Sequence, residues 1–106
     1  MIYLAAPYSH PDKAVIEERM RVFYKIVAEL TNNGDVTVSP LMNHPIVQLH
    51  NVQGDWVFWE KYSKTLLSRC DRMIVIMLDG WEKSPGVTGE IKFCIENNIP
   101  YEYMEV

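Results

Sequence analysis

A chain of 106 residues is long enough for one hydrophobic core and too short for two, so residues 1–106 are read as a single domain. Its 48% hydrophobic and 23% charged residues are ordinary for a folded globular protein and exclude a disordered or fibrous chain. The 14 acidic residues outnumber the 10 basic ones, and no Lys/Arg cluster occurs, which argues against nucleic acid polymers as partners.

The chain opens on a strand: Ile2 to Ala6 is a short apolar run closed by Pro7, Ser9 and Pro11. No basic segment precedes it, and no apolar stretch approaches the ~18 residues needed to span a bilayer, so export and membrane insertion are not expected. From Asp12 to Asn32, Ile16, Met20, Phe23, Val27 and Leu30 recur at steps of four and three with Glu17, Glu18, Arg21 and Lys25 between them, the pattern of a long amphipathic helix. Asn32, Asn33 and Gly34 stop it, and Val36 to Ser39 reads as a second strand ending at Pro40.

Residues 40–54 mix Pro40, His44, Pro45, His50, Asn51 and Gly54 without a period and are expected to form a long loop with at most one helical turn. Asp55 to Leu67 places Trp59, Tyr62, Leu66 and Leu67 on one helical face. Met73 to Leu78 is apolar throughout, as in a central strand covered on both faces, and Asp79 and Gly80 end it. The next helix starts with Ser84 as N-cap and Pro85 at its first position, and Val87, Ile91 and Cys94 form its core face. After Asn97, Asn98 and Pro100, Tyr101 to Met104 forms a last strand. Alternating strands and helices predict an α/β fold, a three-layer sandwich with a mainly parallel sheet of four to five strands, Rossmann- or flavodoxin-like. Cys70 and Cys94 lack the spacing of a metal or redox pair and are read as buried thiols in a reducing cytoplasm.

Ligands of open parallel sheets bind beyond the carboxyl ends of the strands, near helix N-termini. Pro7-Tyr8-Ser9-His10 and Asp79-Gly80-Trp81-Glu82-Lys83-Ser84-Pro85-Gly86 are the two segments in that place. Gly86 and Gly89 keep the helix start free of bulk, so amides near Ser84 can approach an anion; the plain alternative is a capped structural turn. Glu90, in the second turn of that helix and followed by the core-facing Ile91, belongs at the edge of the buried layer. From pattern alone a solvent-facing glutamate near the helix dipole is the competing reading.

Ile2-Tyr3-Leu4-Ala5-Ala6 and Ser84-Pro85-Gly86-Val87-Thr88-Gly89-Glu90 together resemble the opening strand and the loop-and-helix motif of the nucleoside 2-deoxyribosyltransferases and the related 2'-deoxynucleoside 5'-phosphate N-hydrolases. The likeness spans nearly the whole chain, and the Leu78-Asp79-Gly80-Trp81-Glu82 turn is similar to a short branch of that superfamily. It implies that Glu90 is the nucleophile and that Tyr3 holds and orients it. Ser84, where the phosphate hydrolases have serine and the transferases aspartate, would receive a 5'-phosphate with the neighbouring amides. Ala6, Pro7, Tyr8, Ser9, Trp81 and Gly86 would line the substrate site; Trp81 either stacks on the base or, as a loop tryptophan equally often does, packs against the protein.

The family's helper aspartate, on the helix before the central strand, falls at Ser63, which is no general acid near neutral pH. Asp55, Glu60 and Asp79 are the substitutes on offer, and His44 and His50 stay unassigned. The implied partner is a small-molecule nucleoside or nucleotide, with no cofactor or metal. The resemblance also implies a homodimer or higher homo-oligomer, in which a neighbouring copy would complete the pocket. A catalytically silent nucleotide binder or sensor is the alternative from another class, and an NAD-type glycohydrolase is a third, weakened by the lack of a loop large enough for a dinucleotide.

Overall fold

A computed structural model describes residues 1–106. Four strands, β1 (Ile2–Ala5), β2 (Thr37–Val38), β3 (Arg72–Ile76) and β4 (Tyr101–Met104), form one all-parallel sheet in the order β2-β1-β3-β4. The apolar run of β3 therefore lies inside the sheet. Although its ladder ends at Ile76, the Met77 amide still donates to the Met104 carbonyl at 2.9 Å and Leu78 is buried.

Side-chain alternation divides the core in two. On one face Ile2, Leu4, Ala6, Ile74, Ile76 and Leu78 pack against Met20, Phe23 and Ile26 of helix α1 (Lys13–Asn32). On the other, Tyr3, Ala5, Met73 and Val75 meet Leu67 of α3 (Trp56–Leu67) and Val87 and Cys94 of α4 (Pro85–Glu96). These three layers are the expected α/β sandwich. No helix is long and apolar enough to cross a membrane.

The caps explain most boundaries. Asp12, Asp55 and Ser84 each accept a backbone N–H in the first turn of α1, α3 and α4 respectively. Segment 40–54 departs from the expected loop: a 3-10 turn covers Pro40–Asn43 and α2 covers His44–His50. Its prolines occupy the first turns of these elements, where a missing N–H costs nothing, so they start helix here rather than break it. On α3 Leu67 of the expected Trp59, Tyr62, Leu66 and Leu67 face is buried, whereas Tyr62 is exposed and Ser63 takes the other inward position.

Candidate active site

In the order β2-β1-β3-β4 the chain leaves β1 towards one side of the sheet and reaches β3 on the other, which opens a crevice beyond the carboxyl ends of β1 and β3. A cavity of about 500 Å³ lies there. Ala6 to His10, following β1, and Asp79 to Gly86, following β3, supply two of its walls. The segment from Pro40 to Val47 and the start of α3 supply the others.

Glu90 lines this cavity and is only 5% exposed. It projects from the sheet-facing side of α4, between Val87 and Cys94, and the wholly buried Tyr3 phenol donates a hydrogen bond to its carboxyl. Burial removes water that would stabilise the anion and pushes this carboxyl up to about 8, with the Tyr3 hydrogen bond pulling the other way. Tyr3 itself is raised well above its ordinary value, first by burial and then by the neighbouring Glu90. Cys94 is also pushed up, to about 11, by burial and by Glu90. The solvent-facing alternative for Glu90 does not hold: the residue sits in the buried layer, at the mouth of the crevice.

Ser63, also buried, turns its hydroxyl towards the Tyr3 phenol. No side chain of α3 brings a carboxyl to that point. Asp55 lines the cavity but spends an oxygen on the Phe58 amide at 2.9 Å as the α3 cap. Glu60 pairs with Lys64 at 2.6 Å and is not in the cavity wall. Asp79 is exposed at the rim, and it is its backbone carbonyl that is engaged, accepting from Arg19 at 3.1 Å.

The other anticipated binding residues divide. Ala6, Pro7, Tyr8, Ser9, Ser84 and Gly86 all line the cavity. Ser84 accepts from the Val87 amide at 3.2 Å, which leaves its own proton free to donate. Trp81 does not cover the cavity: its ring lies 5.3 Å from that of Tyr103 and packs against the Tyr3 and Met73 core. Gly89 serves packing rather than an anion, because a Cβ there would lie 2.5 Å from the Trp56 indole, which crosses α4 at this point.

Two residues that the sequence reading left aside are built into the site. Arg19 ties the two loops together, donating to the carbonyls of Tyr8 at 3.1 Å, Ser9 at 3.0 Å and Asp79 at 3.1 Å, while its buried Nε has no partner. Its position on the Ile16–Met20–Phe23 stripe, where an arginine interrupts an apolar face, was the available signal. His44 is the other, a buried histidine in the cavity wall, whereas His50 is exposed and lies outside it.

A family model described as Domain of unknown function (DUF1937) matches residues 1–105. The chain belongs to the DUF1937 family. No curated protein matches it. The match takes in every wall of the cavity, so the buried Glu90–Tyr3 pair and the loops around it all lie within this DUF1937 domain.

Proposed function

We propose that this DUF1937 domain cleaves or transfers the N-glycosidic bond of a nucleoside or nucleoside 5'-monophosphate, with Glu90 as nucleophile. The observation that carries the reading is one buried carboxyl facing a cavity of about 500 Å³, gripped from behind by the Tyr3 phenol. The resemblance of residues 2–6 and 84–90 to the nucleoside 2-deoxyribosyltransferase-like superfamily supports the substrate class. The cations Arg19 and Lys83 in the cavity wall, beside Ser84 at the start of α4, suit a 5'-phosphate.

In this mechanism the Glu90 carboxylate attacks C1' through an oxocarbenium-like transition state and forms a glycosyl ester, which water or a second base resolves. Tyr3 is a positioning residue: it aims the carboxylate and reaches no substrate, being wholly buried. Burial pushes this carboxyl up to about 8, and positive charge developing at C1' stabilises the anion that burial disfavours.

Our reading keeps the cytoplasmic placement and a homodimer. The apolar side chains exposed along α2 and the start of α3, Ile46, Leu49, Val57 and Phe58, are the surface a second copy would cover. A silent nucleotide binder is the second reading, favoured by Ser63, which brings no carboxyl to the Tyr3 phenol.

Incubation with deoxynucleosides, deoxynucleoside 5'-monophosphates and NAD, followed by chromatography for free base, tests the proposal. Glu90→Gln should abolish base release while holding nucleotide affinity within about tenfold, since a nucleophile acts on kcat more than on ground-state binding. Base release by Glu90→Gln at the wild-type rate would sink the nucleophile assignment. A wild type that binds nucleotides and releases no base establishes the silent binder instead.

A further inference from the structure

Cleavage of an N-glycosidic bond leaves a poor leaving group unless the base takes up a proton as the bond breaks. Glu90 cannot supply that proton while it attacks C1'. Of the other candidate proton donors in the cavity wall, Asp55 caps α3, Asp79 is exposed at the rim, and His10 is exposed with its Nδ1 accepting from the Asp12 amide at 2.9 Å. One connected set of side chains is left, on the wall formed by the loop after β1 and by α2. The Tyr8 hydroxyl lies 2.7 Å from His44 Nδ1, and His44 Nε2 lies 3.2 Å from Glu17 Oε1. Tyr8 and His44 line the same cavity as Glu90, and Glu17 stands behind them on α1 with its carboxylate towards solvent.

We propose that Tyr8, His44 and Glu17 form the proton relay of this site, with Tyr8 as the group that protonates the departing base. The inference rests on the N-glycosidic reading of the cavity. Glu17 accepts the Nε2–H, which leaves Nδ1 to face Tyr8. When the imidazole is neutral, Nδ1 accepts the Tyr8 proton and holds it away from the ligand. When it is protonated, Nδ1–H donates to the Tyr8 oxygen, and the phenolic proton turns into the cavity.

The tyrosine alone is a weak acid, and burial raises it further, so the imidazolium behind it is what makes it a donor. The ring is fixed in place: it stands edge-on to His44 with centroids 5.5 Å apart, and its other edge fills space that a Cβ on Gly54 would enter at 3.3 Å. Ser9, the next residue, is tied to the Gly54 carbonyl at 2.6 Å.

The steps balance. As the Glu90 oxygen bonds to C1' and the C1'–N bond breaks, the bonding pair goes to the base, which takes the Tyr8 proton. Tyr8 then takes the Nδ1 proton and His44 becomes neutral. In the second half water attacks C1' and gives a proton to the Tyr8 oxygen, whose own proton passes to Nδ1, and the ester bond breaks to restore the Glu90 carboxylate.

A 7-methylpurine deoxynucleotide already carries its base as a cation and needs no donor to leave, so it separates the relay from the nucleophile. First-turnover base release would be measured for purine deoxynucleoside 5'-monophosphates and their 7-methyl counterparts. Tyr8→Phe and His44→Gln should each slow release of the unmethylated base about 100-fold or more and change release of the methylated base less than about threefold. Glu17→Gln, which keeps an acceptor for the His44 Nε2–H but removes the charge that stabilises the imidazolium, should show the same selectivity at about tenfold. Release of the methylated base also reports that each variant is folded.

Equal losses on both substrates, or no loss on the unmethylated one, overturn the relay while leaving Glu90 in place. Glu90→Gln should lose both substrates; if it keeps both, the nucleophile assignment fails on its own. A wild type that releases neither base overturns the relay together with the reading beneath it.

Discussion

The two faces of the sheet are built from the same strands and do different work. The face under α1 is dry and apolar, with Ile2, Leu4, Ile74 and Ile76 set against Met20, Phe23 and Ile26. The face under α3 and α4 carries similar aliphatic packing at Leu67, Val75 and Val87 but also buries Tyr3, Ser63 and Glu90. Burying an ionisable carboxyl costs stability unless the group stays neutral. The second face thus accepts a penalty that the first avoids, and it does so at the one end where the carboxyl opens onto a cavity. The buried carboxyl thus belongs to the α4 face, while α1 contributes the apolar packing and, near the cavity, Glu17 and Arg19.

The comparison is sharpened most by Phe23→Ala. A fully buried ring on the dry face should cost about 3–5 kcal/mol on removal, with the same loss at every pH, as read from denaturant midpoints. A loss below about 1 kcal/mol would mean that the α1 face is not the main core.

Glu90→Gln should move stability the other way, by an amount that grows as pH rises from about 4.5 to about 8. The folded carboxyl is raised from an ordinary 4.5 to about 8, so the folded chain holds that proton more tightly than the unfolded chain. Its stabilising contribution is complete below about pH 4.5 and is lost as pH rises through about 8. Glutamine stays neutral and escapes that loss, so the variant should match the wild type near pH 5 and exceed it by roughly 3 kcal/mol or more at pH 9. Parallel stability curves for the two proteins would show that Glu90 is not held neutral by burial.

The smallest effect falls at the rim. Ser84→Ala removes the α4 cap and should cost about 1 kcal/mol. Ser84→Asp keeps a cap and adds a negative charge, so it should leave thermal stability nearly unchanged while weakening deoxynucleotide binding far more than deoxynucleoside binding in titration calorimetry. Equal weakening of both would place the phosphate elsewhere.

The strands and three of the four helices were legible in the sequence because each rests on a local signal. These are the apolar run of β3, the stripe along α1 and the Ser84–Pro85 start of α4. Helix α2 was not, since Pro45 reads as a breaker until its place in the first turn is known. For Glu90, sequence established a carboxylate one turn inside a capped helix, and the resemblance named its partner Tyr3. The burial that pushes the carboxyl up was decided by the packing of α4 on β1, across 87 residues of chain.

A tryptophan on a loop beside the crevice can stack on a ligand, and a glycine near a helix start can leave room for one. Packing gave Trp81 to Tyr103 and filled the space at Gly89 with Trp56. The Tyr8–His44–Glu17 chain joins the loop after β1, α2 and α1, and nothing in the local pattern of any one of these segments ties it to the other two. Periodicity and caps are properties of neighbouring residues, so sequence alone determined the elements and their order. A shared proton or a buried charge depends on which distant surfaces meet, and only the tertiary structure decided that.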